Sequence, residues 1–312
     1  MSDLAFFINP FGDGVAPNLD TLLELEIVRV GTNELDAVEY YDREQPNQPV
    51  IDAFTRELRQ RDMTVVTVHG VGGFVAPERS LQGRAMEHLK REVDRAATWE
   101  SPCLVFHYRQ PFMPWTKSEM ADWTTAIMRM GVDTFDSRYH EALAQLCEYA
   151  ATQNVGVYLE AMGPPFSYGQ SLTQMLSTFE TVKHENLGIC VDTGHLHLSG
   201  HHPATQIRMT RGLPLTLHLN DNLGPIPPNF DIYDSDLHLV PGLGTVDWVQ
   251  VLLALREVVY KGPHIFEGPG YPGSTFKDAT AMTIQFWRVI EEVAEGLALR
   301  WCWPQPDSVT KT

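Results

Sequence analysis

The chain has 312 residues, with 23 Lys and Arg against 40 Asp and Glu, a formal charge of −17 with histidines neutral. So acidic a balance argues against a protein that holds nucleic acid by neutralising phosphates, and against one that lies on a membrane through basic amphipathic helices. Hydrophobic residues at 43% and charged residues at 20% are globular proportions, and no run approaches the ~18 unbroken apolar residues of a bilayer span.

The N-terminal stretch MSDLAFFINPFGDG has no basic segment leading into a long apolar one, so no secretory signal is expected and a cytoplasmic location is the default. Cys103, Cys147, Cys190 and Cys302 stand far apart, without zinc-knuckle or thioredoxin spacing, and read as reduced core thiols. Neither a linker nor a low-complexity tract divides the sequence, which favours one domain over residues 1–300 and a loosely ordered tail over 301–312.

In chain order, eight short runs rich in β-branched or aromatic residues are predicted as strands: LAFFIN from Leu4, DAVEYY from Asp36, MTVVTVH from Met63, PCLVFH from Pro102, VGVYLE from Val155, LGICVD from Leu187, PLTLHLN from Pro214 and HIFE from His264. Between them, stretches with apolar residues at helical spacing predict helices around Pro49–Asp62, Glu78–Trp99, Ser137–Asn154, Ser171–His184, Thr245–Tyr260 and Ala281–Leu299. Ser171, Pro203 and Thr245 stand at or near expected helix starts, and the helix after the sixth run is the least marked. Strands apolar on both faces and separated by helices imply a parallel sheet covered by helices. Eight such units close into a single (β/α)8 TIM barrel, of the α/β class.

The strand ends carry the chemistry, because in such a barrel the C-terminal ends of the strands converge on one face. The third run ends at His69, the fourth at His107, the fifth at Glu160, the sixth at Asp192 with His195 three residues on, the seventh at His218 and the eighth at Glu267. The loop after the seventh adds Asp236 and His238. Carboxylates and imidazoles converging on one spot would repel, or strand unpaired polar groups, unless a cation sits among them. A divalent metal resolves that. By contrast His88 and His140 fall in helical stretches, and His197, His201 and His202 in a polar loop; solvated positions are expected for all five. Gly70, Gly72 and Gly73 fit no phosphate-binding pattern and suggest a flexible loop near the site, whereas Gly242 and Gly244 shape a turn. The long loop after the fourth strand carries Arg109, Phe112, Trp115 and Lys117, which could cover a polyol by stacking and hydrogen bonding, or act as a lid or interface without substrate contact; Phe166 and Tyr168 are placed similarly after Glu160.

The segments VDTGHLHLSG, LHLND, HLVPGLGTVDW and HIFEG resemble the xylose isomerase-like barrel superfamily, which contains sugar and sugar-phosphate isomerases and epimerases and the related type IV apurinic endonucleases. The resemblance is strongest from Val155 to Gly268 and weaker from Met63 to His107. It implies, for the epimerase branch, one Mn2+, Mg2+ or Co2+ held by Glu160, Asp192, His218 and Glu267, with both glutamates acting also as acid and base and His195 binding a substrate oxygen. Removal of a proton beside a carbonyl through a metal-stabilised enediolate is the chemistry that such a set suits. The expected partner is a small sugar or keto-sugar, with or without a phosphate. Barrels of this kind often pair through outer helices or mouth loops, and Trp115, Trp123 and Trp287 are candidates either for such contacts or for the core.

Two alternatives stay open on the same residues. A lyase or dehydratase acting on a keto-sugar or cyclitol would begin with the same proton abstraction and then expel a leaving group. In the endonuclease branch, three Zn2+ are held by nine residues, and the matching positions are His69, His107, Glu160, Asp192, His195, His218, Asp236, His238 and Glu267. The net charge, and a loop after His69 that offers no set of wedge and arginine residues for a bent duplex, weigh against that branch.

Overall fold

The computed structural model describes residues 3–10, 14–32, 48–70, 72–76, 78–111, 123–162, 172–225 and 236–300. Strands and helices alternate: β1 (Leu4–Ile8), α1 (Val15–Glu24), β2 (Arg29–Thr32), α2 (Gln48–Gln60), β3 (Thr64–His69), α3 (Gln82–Thr98), β4 (Cys103–His107), α4 (Trp123–Met130), α5 (Val132–Thr152), β5 (Gly156–Glu160), α6 (Leu172–Val182) and β6 (Leu187–Asp192). Two short helices, α7 (Thr193–Leu198) and α8 (Pro203–Met209), precede β7 (Leu215–His218); α9 (Trp248–Glu257), β8 (His264–Phe266) and α10 (Phe276–Arg300) complete the order.

All strand pairs are parallel, in the order β7-β6-β5-β4-β3-β2-β1-β8. The two outer strands meet just past the end of β7, where Leu219 N–H donates to Ile265 O (2.8 Å) and Glu267 N–H donates to Leu219 O (3.2 Å). That contact closes the sheet into a (β/α)8 barrel, as the alternation of runs predicts. Helices cover the outside because each presents an apolar stripe: α2 buries Ile51, Phe54 and Leu58, at i, i+3 and i+7. On the β8 side, Phe6 stacks on Phe266 (5.1 Å between ring centroids), and Phe266 meets Trp287 of α10 edge-on (5.1 Å). Trp287 is fully buried, which places it in the core rather than at a subunit contact. Trp115, the side chain of Trp123 and the tail 301–312 lie outside the described residues.

Seven of the eight predicted strands coincide with observed ones. The second does not: β2 is Arg29–Thr32, and the run Asp36–Tyr41 lies outside the described residues. The segment RVGT is hard to recognise because its inward position must be small. A Cβ on Gly31 would lie 2.7 Å from the Phe7 ring and 2.9 Å from Thr67, so crowding inside the barrel removes the bulky residue that a strand pattern leads one to expect. Helices α1 and α4 were not anticipated. Pro203 does begin α8, at a position where its missing N–H costs nothing.

His88 also departs from expectation. It is buried on the inner face of α3, beside Glu92 and Arg95, which are likewise buried and paired with each other. Cys103, Cys147 and Cys190 are free and buried, as expected; Cys302 lies outside the described residues. Among the described residues no helix is long and apolar enough to cross a membrane.

Candidate metal centre

The parallel register brings the strand-end side chains to one height. His107 is the Cα partner of Glu160 across β4 and β5, and Asp192 is the partner of His218 across β6 and β7. Ligand atoms from Glu160, Asp192, His218 and Glu267 lie within 4.8 Å of one another, as do those of His69, Glu160 and His218, and those of His195, Asp236 and His238. The four residues expected to share a cation therefore do converge.

Glu160 is the hub. It is fully buried, and its Oε2 accepts from His69 Nε2–H (3.0 Å) while its Oε1 accepts from His218 Nδ1–H (3.2 Å). His195 Nδ1 is 3.3 Å from the same Oε1, and His107 Nε2 is 3.9 Å from Oε2. Across the centre, Glu267 Oε2 lies 3.0 Å from His218 Nδ1, so one ring nitrogen is flanked by two carboxylates. Asp192 caps the N-terminus of α7 by accepting from the His195 backbone N–H (2.6 Å), and takes a second bond from Asn220 Nδ2–H (2.8 Å). Phe7, from the barrel interior, sets its ring edge-on beneath His218 at 4.9 Å.

Next to this group, Asp236 Oδ2 accepts from both His195 Nε2–H and His238 Nε2–H, each at 3.1 Å, and His238 Nδ1–H donates to Glu267 O (2.9 Å). His195 thus links the two groups, with one nitrogen toward Glu160 and the other toward Asp236.

Burial and mutual charge shift these groups strongly. Burial lifts the Asp192 carboxyl to about 7, with Glu160 and Glu267 adding to the rise. Burial opposes a charged His218, yet Glu267 and Glu160 lift its ring to about 9. Burial would also raise both glutamates, but the imidazoles reverse this: His218, His195 and His69 hold Glu160 well below the usual range, and His218 holds Glu267 at about 2. His238 rises to about 10 against burial because Asp236 faces it. Carboxylates and imidazoles packed together out of water shift one another in this way, each ionised partner favouring the charged form of the other.

The donor set fits a divalent cation. His218 Nδ1 stands between Glu160 Oε1 (3.2 Å) and Glu267 Oε2 (3.0 Å), and with Asp192 this makes three carboxylates packed out of water around one imidazole, a set whose burial a fixed positive charge would offset. Three carboxylates and one imidazole suit Mn2+, Mg2+, Co2+ or Zn2+ better than a soft ion.

Other expected residues are placed differently. Arg109 does not cover the mouth: it is buried with φ of 60°, lies 2.5 Å from Asp136 and packs over the Phe135 ring (5.2 Å). Its partner Asp136, on α5, holds it there. Trp115, Lys117, Phe112, Phe166 and Tyr168 lie outside the described residues. The loop after His69 is packed where it is described: Phe74 and Val75 are buried, and Phe74 N–H donates to Gln110 O (3.1 Å). The residues that sequence reasoning passed over are Asn220, Asp221 and Asn222, all fully buried. Asp221 Oδ2 accepts from Gly242 N–H and Trp248 Nε1–H, each at 2.8 Å, which holds the turn at Gly242 expected from the sequence. The signal was available in the run HLNDN, whose polar residues directly follow a buried strand.

A family model described as xylose isomerase-like TIM barrel matches residues 27–289. Among known proteins, the chain is 24% identical over 217 residues to an uncharacterized protein of Methanocaldococcus jannaschii, covering 67% of this chain and 66% of that one. It is 26% identical over 118 residues to the inosose isomerase of Bacillus subtilis, covering 38% of this chain and 41% of that one. The matched stretches thus span less than two thirds of either relative. Among solved structures, the D-psicose 3-epimerase of Clostridium cellulolyticum, solved with D-tagatose, aligns with a TM-score of 0.67 and 13% identity over 94% of this chain and 98% of that one. At that identity the likeness is one of fold.

Proposed function

Since the chain belongs to the xylose isomerase-like TIM barrel family, we propose that it is an isomerase or epimerase acting on a small keto-sugar or cyclitol ketone, and that it depends on a divalent cation held by Glu160, Asp192, His218 and Glu267. The observation that carries this reading is the convergence of those four donors within 4.8 Å at the strand ends. An inosose isomerase among the sequence relatives and a ketohexose epimerase among the fold neighbours fit the same substrate class.

A bound divalent cation supplies Lewis-acid stabilisation for negative charge that develops when a carbon beside a carbonyl loses its proton. The protein's own groups do the rest. Glu160, held ionised by His218, His195 and His69, is the deeper base and keeps the proton it abstracts. Glu267, with its side chain 14% exposed, is the one nearer to solvent, and after taking up a proton from solvent it can deliver that proton to the opposite face of the same carbon or to its neighbour, each carboxyl being reset by exchange with water after turnover. A base on each face of a planar carbon is what inversion requires. His195 offers a nitrogen beside Glu160 for a substrate hydroxyl, and the buried surroundings keep competing water away from the reacting atoms.

The test is solvent exchange. Incubated with Mn2+ and a panel containing an inosose, a ketopentose and a ketohexose in deuterated water, the protein should place deuterium on the carbon next to the carbonyl of its substrate. Glu160→Gln and Glu267→Gln should each lower turnover by about 10²-fold or more, the scale of a lost general acid or base, while far-UV circular dichroism stays unchanged. Full activity in either variant removes that residue from the acid/base pair. Release of water from the same substrate identifies the lyase instead.

A second reading draws on the separate grouping of His195, Asp236 and His238. With His69 and His107 beside Glu160, the nine positions match the ligand set of a three-zinc endonuclease. Cleavage of an abasic duplex by the zinc-loaded protein would establish that reading and displace the first.

A further inference from the structure

Asn220 and Asn222 follow His218 at alternate positions, and both are fully buried behind the carboxylates of the centre. Asn220 Nδ2–H donates to Asp192 Oδ2 (2.8 Å), and its backbone is clamped by Thr193, whose Oγ1–H donates to Asn220 O (2.7 Å). Asn222 Nδ2 donates one hydrogen to Asp236 Oδ1 (3.0 Å) and the other to Asn220 Oδ1 (3.4 Å), while Asn222 Oδ1 accepts from Leu237 N–H (2.7 Å). The chain of bonds runs from Asp192 through both amides to Asp236. Its direction is fixed, because a carboxylate at each end admits only an N–H.

Space for the pair is made by Gly194. A Cβ there would lie 1.8 Å from Asn220 Oδ1 and 2.5 Å from Asn222 Nδ2, so any larger residue in α7 would push the amides off their partners.

We propose that Asn220 and Asn222 are positioning residues: the amide bridge holds Asp192 and Asp236 in fixed rotamers and thereby sets the affinity of the centre for its divalent cation. The proposal rests on Glu160, Asp192, His218 and Glu267 being that centre. A carboxylate ligand has two oxygens and turns about its own axis. With Oδ1 tied to the His195 backbone N–H and Oδ2 tied to Asn220, Asp192 presents its remaining lone pairs in one direction only. Without Asn220, one of those ties is lost. Asn222 acts one step further back, by fixing which way the Asn220 amide faces.

The experiment is a Mn2+ titration of the full chain near pH 7, with affinity read by calorimetry and the site by the electron paramagnetic resonance spectrum of bound Mn2+, alongside thermal melts in EDTA. Asn220→Ala should raise the Mn2+ Kd by about 10- to 100-fold, the usual effect of losing a hydrogen bond to a metal ligand, and alter the spectrum of bound Mn2+. Asn222→Ala and Gly194→Ala should change both readouts in the same direction; their metal-free melting temperatures fall, because buried polar groups lose partners, while the metal-free far-UV circular dichroism stays that of the wild type. If Asn220→Ala does not fold, the other two variants carry the test by the same criterion. Wild-type Kd and spectrum in the folded variants would overturn the bridge and leave the centre standing; a wild-type protein that binds no Mn2+, Co2+ or Zn2+ would overturn both.

Discussion

His264 opens β8 with its ring 5.1 Å from Trp287 and 6.0 Å from Tyr260. Burial among these groups pushes its imidazole down to about 4. The folded protein therefore prefers the neutral ring, while the unfolded chain takes up a proton near the ordinary value of about 6.5. The contribution to stability is complete above pH 6.5 and is lost as the pH falls from there toward 4. His264→Phe should remove this loss, so the fall in Tm between pH 7 and pH 5 should be shallower in the variant than in the wild type; equal slopes would show that the folded and unfolded states bind the His264 proton alike. At the centre, the residue types at the strand ends were readable from sequence, because His69, His107, Glu160, Asp192, His218 and Glu267 each close an apolar run or stand directly after it. Their partners were not. Nothing in spacing reveals that Asn220 bonds Asp192, or that Asp136 draws Arg109 away from the mouth, since both depend on elements brought together only by folding.

Helix ends were harder to read than helix faces. Five helices without a glycine at their end finish in the same turn, in which an N–H reaches back to a carbonyl five residues earlier: Ile27 to Leu22, Met63 to Leu58, Ser101 to Ala96, Val155 to Ala150 and Tyr260 to Leu255; α7 ends in it as well, His201 to Leu196, with Gly200 in the left-handed position. The residue before each of the first five donors is left-handed, namely Glu26, Asp62, Glu100, Asn154 and Val259. Glycine usually marks such a turn; its absence at all five explains why the sequence showed where apolar faces lie but not where the helices stop. Val259 is the most strained of the five, being β-branched at φ 59°. It is also 64% exposed, so little packing is lost on replacing it. Val259→Asn should stabilise the protein by about 1 kcal/mol, visible as a higher midpoint in urea with an unchanged slope; an unchanged or lower midpoint would mean that Val259 makes contacts that offset its strain.

For the molecule as a whole, alternating apolar runs and amphipathic stretches specify a closed parallel barrel, and closure turns residues spread from Glu160 to Glu267 into neighbours. Seven strands were legible because their bulky residues face both the barrel interior and the helices. The second was hidden because the interior there is already filled by Phe7 and Thr67, leaving room only for Gly31. Substrate selectivity could not be read at this scale, since polar groups at a barrel mouth define a chemistry more sharply than they define a molecule. The claim on which the function rests is that the mouth holds one divalent cation. Anomalous diffraction from crystals grown with Mn2+ should give one strong peak per chain, about 2.0–2.3 Å from oxygens of Glu160, Asp192 and Glu267 and a nitrogen of His218, by analogy with ordinary oxygen and imidazole ligation distances. No peak among those four residues, or additional full peaks at His69 with His107 and at His195 with Asp236 and His238, would contradict the single-cation account.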